Sequence, residues 1–210
     1  MKRIVFLFAL FCALTAGIAA QQIKASPFEG RWVWDGKGED DPEFSELIFF
    51  GNIMLGKFSE ELPIFTGSSF TQTNRKITFA DGDYEWEYRL SGNILNITDD
   101  YDDRYNYTKA AMVKSPLEGI WKVTGGEDYD PDADYFLVFA GEIMAVGDED
   151  EYIGYEVEFS GKTFFPTRDS FGEKRSGKPT AEESVEYRLS GRTLTIIDSD
   201  GDELRLTKVY

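Results

Sequence analysis

An internal repeat constrains the fold of this chain more than any other feature. Residues 26–32 (SPFEGRW) recur as SPLEGIW at 115–121, and EYRLSG at 87–92 recurs unchanged at 186–191. Three dipeptides recur in the same order: Asp41-Pro42 as Asp130-Pro131, Ile53-Met54 as Ile143-Met144, and Thr108-Lys109 as Thr207-Lys208. A period near 90 residues is typical of a whole small domain rather than of a solenoid unit. We therefore predict two domains, at residues 26–110 and 115–210.

The offset between equivalent residues of the two copies increases by about ten residues along the chain. The second copy is therefore the longer one by that amount. We place the extra residues in the polar stretch 167–184, which contains Gly172, Gly177 and Pro179. The join between the copies, at 110–115, is too short for a flexible linker. The sequence therefore predicts two copies that are held close together.

Both copies alternate apolar and polar residues in the way that half-buried β-strands do. The alternation is clearest in residues 84–90, 153–159 and 185–189. Turn signals follow at Ser91-Gly92 and Ser190-Gly191, and recur about every ten residues. This pattern predicts an all-β protein with about eight short strands in each copy, folded as a barrel or a sandwich.

A family resemblance rests on the start and the end of each copy. Gly30 and Trp32, and again Gly119 and Trp121, form a Gly-x-Trp that opens the first predicted strand, and a Thr-Lys pair closes each copy. In these features the chain resembles the lipocalin-like (calycin-type) barrel proteins, especially the small bacterial ones. The resemblance implies two small antiparallel up-and-down β-barrels in tandem, in which Trp32 and Trp121 have a structural role at the closed end.

The chain departs from that family in four respects. Each copy is short, no C-terminal helix is evident, and the family's disulfide is missing. The family also has an Arg that packs on the tryptophan. Arg205 is the nearest candidate for it in the second copy, and the first copy has Asn106 at the matching place.

The amino terminus has the pattern of a secretory signal peptide. Lys2 and Arg3 precede an apolar run at 4–14, and small residues continue to Ala20. We predict a signal peptide at residues 1–20, a secreted or periplasmic location, and no transmembrane segment in the mature chain. Cys12 follows the bulky Phe11 inside the apolar run, so we interpret it as part of the signal rather than as a lipid anchor.

Charge and composition exclude several classes of function. The chain has 22 Lys and Arg against 39 Asp and Glu, a net charge of −17, whereas nucleic-acid binding needs clustered basic residues. It has no His, which removes His-activated nucleophiles and His-ligated zinc. With so many acids, paired carboxylates are no signal of glycoside hydrolysis. We predict no enzyme activity, no catalytic residue and no cofactor.

Two sets of residues are candidates for binding. The aromatic residues on predicted inward faces are Trp86, Tyr88, Tyr155, Phe159 and Tyr187. They either fill the core or line a cavity for one small ligand. The acidic residues at predicted turns are Asp128, Asp130, Asp132, Asp134, Asp198, Asp200 and Asp202. They either hold calcium or form turns without an ion.

The sequence favours a non-catalytic binding protein for a small apolar or amphipathic ligand, or for an envelope or extracellular protein. Two alternatives stay open at this stage. The first is a structural or interaction module with filled barrels that acts through its surface. The second is an acidic surface protein stabilised by calcium. Any partner held by charge is expected to be cationic, and such binding weakens with salt.

Overall fold

A computed structural model of the protein describes residues 25–36, 41–58, 64–80, 84–127, 129–148, 150–167, 180 and 184–210. Sixteen β-strands account for the regular structure of these residues, as the all-β prediction requires. In this part of the chain no helix has the length and apolar character needed to cross a membrane. The predicted signal peptide at 1–20 and most of the stretch 167–184 lie outside the described residues.

The first eight strands form a closed antiparallel barrel, which we call the first ring. Each strand pairs with the next along the chain, and β8 pairs with β1. The strands are β1 (Gly30–Trp34), β2 (Glu46–Phe50), β3 (Ile53–Lys57), β4 (Ile64–Thr73), β5 (Lys76–Phe79), β6 (Glu85–Ser91), β7 (Ile94–Thr98) and β8 (Arg104–Ala110).

Eight further strands follow, and we call them the second ring. They pair in the same order as the first eight, with β16 returning to β9. The strands are β9 (Gly119–Gly126), β10 (Phe136–Ala140), β11 (Ile143–Gly147), β12 (Tyr152–Ser160), β13 (Thr163–Pro166), β14 (Val185–Ser190), β15 (Thr193–Ile197) and β16 (Glu203–Lys208).

Strand β2 is apolar at four successive positions because both of its faces are buried. Leu47 and Phe49 point into the first ring and pack in the same cluster as Trp32. Ile48 and Phe50 point outward and pack against residues of the second ring. Burial on both faces produces a continuous apolar run in place of strict alternation.

The two rings are joined by a seam in which β4 pairs with β12. Phe65 lies opposite Gly154, and Tyr152 lies opposite Gly67. The two glycines occupy the same register position in their own rings, so the seam has approximate twofold symmetry. A Cβ on Gly154 would lie 3.0 Å from the Cβ of Phe65, so the glycine permits the close approach of the strands.

A mixed hydrophobic cluster covers this seam. Its buried members come from the outer faces of both rings: Ile48, Phe50, Ile53, Leu55, Phe65, Ile120, Val138, Ala140, Ile143, Ala145 and Tyr152. At its edge Lys57 forms an ion pair of 3.1 Å with Glu156. The ring of Tyr210 stands edge-on to Phe50 at 5.3 Å. The two copies are therefore in direct contact, in agreement with the short join between them.

Candidate functional site

One end of the first ring is closed by the repeated motif, and we call it the plug end. Trp32 is 1% exposed, and its indole Nε1 donates a hydrogen bond of 2.6 Å to the carbonyl oxygen of Phe28. The hydroxyl of Ser26 accepts a hydrogen bond from the backbone N–H of Phe28. The carboxylate of Glu29 accepts one from the backbone N–H of Gly51, which lies in the β2–β3 turn. The motif thus ties the strand entry to a neighbouring turn.

The second ring repeats this arrangement. Trp121 is 2% exposed, and its Nε1 donates to the carbonyl oxygen of Leu117 at 2.8 Å. Ser115 accepts from Leu117, and Glu118 accepts from the N–H of Gly141. The recurring motif at 26–32 and 115–121 therefore forms the same hydrogen-bonded plug in both rings. Trp32 and Trp121 are buried in this geometry, and the structural role predicted for the Gly-x-Trp residues Gly30, Trp32, Gly119 and Trp121 stays a prediction.

A lysine covers each plug tryptophan. Lys109 Nζ lies 5.3 Å from the ring centre of Trp32, and Lys208 Nζ lies 5.5 Å from that of Trp121. Both distances are within the range of cation–π attraction. Lys208, and not Arg205, is therefore the cation on the second tryptophan. The sequence held the signal, because the Thr-Lys pair recurs at the same spacing as EYRLSG.

The opposite end of the first ring, the mouth, contains a pocket of about 50 Å³. Connections that follow odd-numbered strands meet there, because neighbouring strands of the barrel run in opposite directions. Six aromatic residues line the pocket: Phe44, Tyr84, Trp86, Tyr101, Tyr105 and Tyr107. Three carboxylates accompany them: Glu43, Asp99 and Asp100. We call these residues the mouth pocket.

Hydrogen bonds fix two sides of the mouth pocket. The hydroxyl of Tyr107 on β8 donates a bond of 2.8 Å to the carbonyl oxygen of Phe44, which holds the β1–β2 connection against the barrel wall. In the β7–β8 turn, Asp99 Oδ1 accepts from the backbone N–H groups of Tyr101 and Asp103 at 2.9 and 3.0 Å. This turn directs Tyr101 outward, where it is 81% exposed.

The mouth pocket concentrates negative charge beside aromatic rings. Burial raises the pKa of Glu43 above its ordinary value, and the charge of Asp99 raises it further. Burial is also the main reason why the pKa of Tyr107 is raised, with smaller contributions from Tyr105, Glu43 and Asp99. Both shifts arise mainly from burial, and the neighbouring acidic groups add a smaller contribution in the same direction.

The structure places one of the five predicted ligand-binding residues in the mouth pocket, and this residue is Trp86. Tyr88 packs edge-on to Phe28 at 4.8 Å in the core of the first ring. Phe159 and Tyr187 pack in the core cluster of the second ring. Tyr155 is half-buried on β12, where it faces Ile64 across the seam.

Sequence reasoning missed most of the mouth pocket. Its aromatic residues come from three regions of the chain, at 44, 84–86 and 101–107, which only the closed barrel brings together. A signal was present in the first copy, where three tyrosines follow Asp99 and Asp100 within a few residues. The equivalent stretch of the second copy contains none.

Five of the seven predicted calcium residues belong to hydrogen-bonded turns. Asp198 Oδ1 accepts from the backbone N–H groups of Asp200 and Asp202, at 3.0 and 2.9 Å. Asp130 Oδ1 accepts from the N–H of Asp132. Asp134 pairs with a lysine on β9, and Asp128 lies outside the described residues. Within the described ranges no three acidic side chains come together as a metal site, and calcium binding stays a prediction.

The mouth of the second ring differs in its side chains. Since EYRLSG recurs 99 residues later, Trp86 corresponds to Val185, and Tyr105 and Tyr107 correspond to Leu204 and Leu206. The turn itself is the same, because Asp198 caps it as Asp99 caps the first. At these three positions only the first ring is aromatic, although Tyr129 and Tyr135 on the β9–β10 connection pack against the core of the second ring.

Comparison with known proteins adds no assignment to this geometry. No protein-family model matches the chain, and no curated protein matches it. The function is therefore inferred from the residues and their arrangement.

Proposed function

We propose that the chain is a secreted or periplasmic protein of two tandem lipocalin-like barrels, made by duplication, that follow a signal peptide. The domains would be residues 26–110 and 115–210. Three observations support this proposal: the recurring sequence motifs, the identical order of strand pairing in the two rings, and the two matching tryptophan plugs.

We propose further that the protein is a non-catalytic binder of a small apolar or amphipathic ligand. The observation that carries this proposal is the mouth pocket, an aromatic concavity at the open end of a barrel with a few carboxylates at its side. Small-molecule sites generally combine an apolar lining with a small number of placed polar groups. The exposed ring of Tyr101 extends the aromatic surface beyond the pocket itself.

A second candidate function is supported by the packing inside the rings. Phe28, Phe49 and Phe70 contact one another in the first ring, with ring centres 4.7 to 5.9 Å apart. Phe139, Phe159 and Phe164 do the same in the second, at 5.6 to 6.2 Å. Rings filled in this way favour a module that contacts an envelope or extracellular protein through its surface.

Native mass spectrometry of the protein, purified gently from its own host, would separate these candidates. A bound small mass that is lost on denaturation supports the binding proposal, and its loss in Trp86→Val places the ligand at the mouth pocket. A mass lost only after chelation supports calcium instead. A bare polypeptide mass under all conditions contradicts ligand binding and favours the surface module.

A further inference from the structure

We infer that the mouth pocket binds an organic cation, and specifically the quaternary ammonium group of a small amphipathic ligand. This inference rests on the proposed binding function and adds the chemical class of the ligand. It is drawn from the combination of aromatic faces and carboxylates in one concavity of the first ring.

The aromatic residues supply the first attraction. Cations bind over the faces of aromatic rings, indole most strongly, and cages of such rings recognise quaternary ammonium groups. Trp86 is held in place by Phe79, edge-on at 4.8 Å, and by Phe44 at 6.4 Å. An indole fixed in this way loses little side-chain freedom when a ligand binds.

The carboxylates supply the second attraction. Glu43, Asp99 and Asp100 all line the pocket, and among its described lining residues there is no Lys or Arg. Glu43 and Asp100 are exposed and Asp99 is half-buried. The charge of Asp99 raises the pKa of Glu43, so a cation beside these two carboxylates removes an unfavourable interaction. The pocket therefore selects a positive ligand over a neutral one of the same shape.

The second ring shows that acidic turns alone do not make this site. Asp198, Asp200 and Asp202 form the equivalent turn, but Val185 and Leu204 stand where the first ring has Trp86 and Tyr105. The two acidic mouths of the chain thus differ at the positions of Trp86 and Tyr105, which are aromatic in the first ring and aliphatic in the second. The difference provides an internal control within the same molecule.

The size of the pocket favours a compact head group. A volume of about 50 Å³ is room for a few water molecules, since one water needs roughly 10–15 Å³ by this measure. A quaternary ammonium group fits this description better than a lysine side chain, whose ammonium is strongly hydrated and costs more to desolvate. The rest of the ligand would lie along the exposed ring of Tyr101.

The test uses choline and its neutral carbon isostere, 3,3-dimethylbutan-1-ol, which have nearly the same shape. The protein has four tryptophans, so ¹⁵N-tryptophan labelling gives one indole signal for each. Choline is expected to shift the Trp86 signal and leave Trp121 of the second ring unchanged. The apparent Kd for choline should be at least about tenfold lower than that for the isostere, because only choline carries the charge.

Matched variants test whether the carboxylates of the mouth pocket are responsible for choline binding. The double variant Glu43→Gln/Asp100→Asn removes two charges at the first mouth, and Asp132→Asn/Asp200→Asn removes two at the corresponding turns of the second ring. The first is expected to weaken choline binding about tenfold or more, and the second to leave it unchanged, at equal ionic strength. Unchanged indole signals of Trp32 and Trp121 verify that each variant is folded.

Three results would overturn the inference while leaving the proposed function intact. The first is equal affinity for choline and its isostere, and the second is an equal loss of affinity in both double variants. The third is absence of choline binding while a neutral ligand still binds. If the isostere and the neutral hydrophobic dye Nile red fail to bind as well, the proposed binding function itself is wrong.

Discussion

The two rings are most alike at their plug ends and differ most at their mouths. At the plug, Trp32 and Trp121 are buried to the same degree and donate the same hydrogen bond four residues back. At the mouth, the first ring has Trp86 and Tyr105, where the second has aliphatic residues. Because binding residues are often carried by loops on a rigid scaffold, the mouth is where one scaffold can take up a separate function.

The largest expected effect is the loss of stability when either plug tryptophan is removed, and it tests whether the two plugs are equivalent. Trp32→Ala and Trp121→Ala each remove a fully buried ring and its hydrogen bond, and each is expected to lower the free energy of unfolding by about 3–5 kcal/mol. Urea denaturation of the two variants measures this. If the free energy of unfolding falls less than half as much in one variant as in the other, the two plugs do not contribute equally to stability.

The next effect concerns the seam. Gly154→Val places a branched side chain where even a Cβ would be 3.0 Å from Phe65, and overpacking of this kind typically costs about 1–3 kcal/mol. Gly125→Val is the matched control, because a Cβ there meets its nearest neighbour only at 3.9 Å. Thermal unfolding should show a clearly larger decrease in Tm for the seam variant. Equal decreases would mean that the close approach of β4 and β12 is not needed for stability.

A smaller effect distinguishes the two lysines. Lys208 also donates a hydrogen bond of 2.6 Å to the carbonyl oxygen of Glu118, and it is less exposed than Lys109. We expect Lys208→Met to cost about 1–2 kcal/mol and Lys109→Met about 0.5–1 kcal/mol, since the former loses a charged hydrogen bond and the cation–π contact. Denaturant titration of both variants checks the order, and the reverse order would contradict it.

The smallest effect is a pH dependence of stability near the plug of the first ring. Burial raises the pKa of Glu29 above its ordinary 4.5, although hydrogen bonds from Gly51, Ser26 and Tyr210 oppose this. The native state therefore binds the proton more tightly than the unfolded state. The associated stability is fully present below pH 4.5 and is lost as the pH rises through the higher native pKa.

Glu29→Gln removes this titration. Relative to the variant, the wild-type protein should lose stability between pH 4.5 and pH 7, because only the wild type must bury a charge there. Urea midpoints measured across this range give the comparison. Parallel pH profiles for the two proteins would show that Glu29 does not contribute to the pH dependence.

Much of the fold was readable from local patterns. Alternation in residues such as 85–91 and 185–190 predicted strands that the structure confirms. The apolar face of β6 is half-buried throughout, and that of β14 is buried at Tyr187 but exposed at Leu189. The apolar run in β2 was less informative, since burial on both faces removes the alternation. Arg205 was an inadequate candidate for the cation on Trp121, because spacing alone does not tell which strand neighbour lies over a ring.

The sequence by itself determined the all-β class, the internal repeat and the recurring motif that holds each plug tryptophan, because these depend on periodicity and on short local patterns. The tertiary structure decided the mouth pocket and the seam. Trp86, Tyr105 and Phe44 meet only after the barrel closes, and Phe65 faces Gly154 only after the rings pair. Contacts between residues that are distant along the chain leave no periodic pattern, so their chemistry appears only when the strands are assembled.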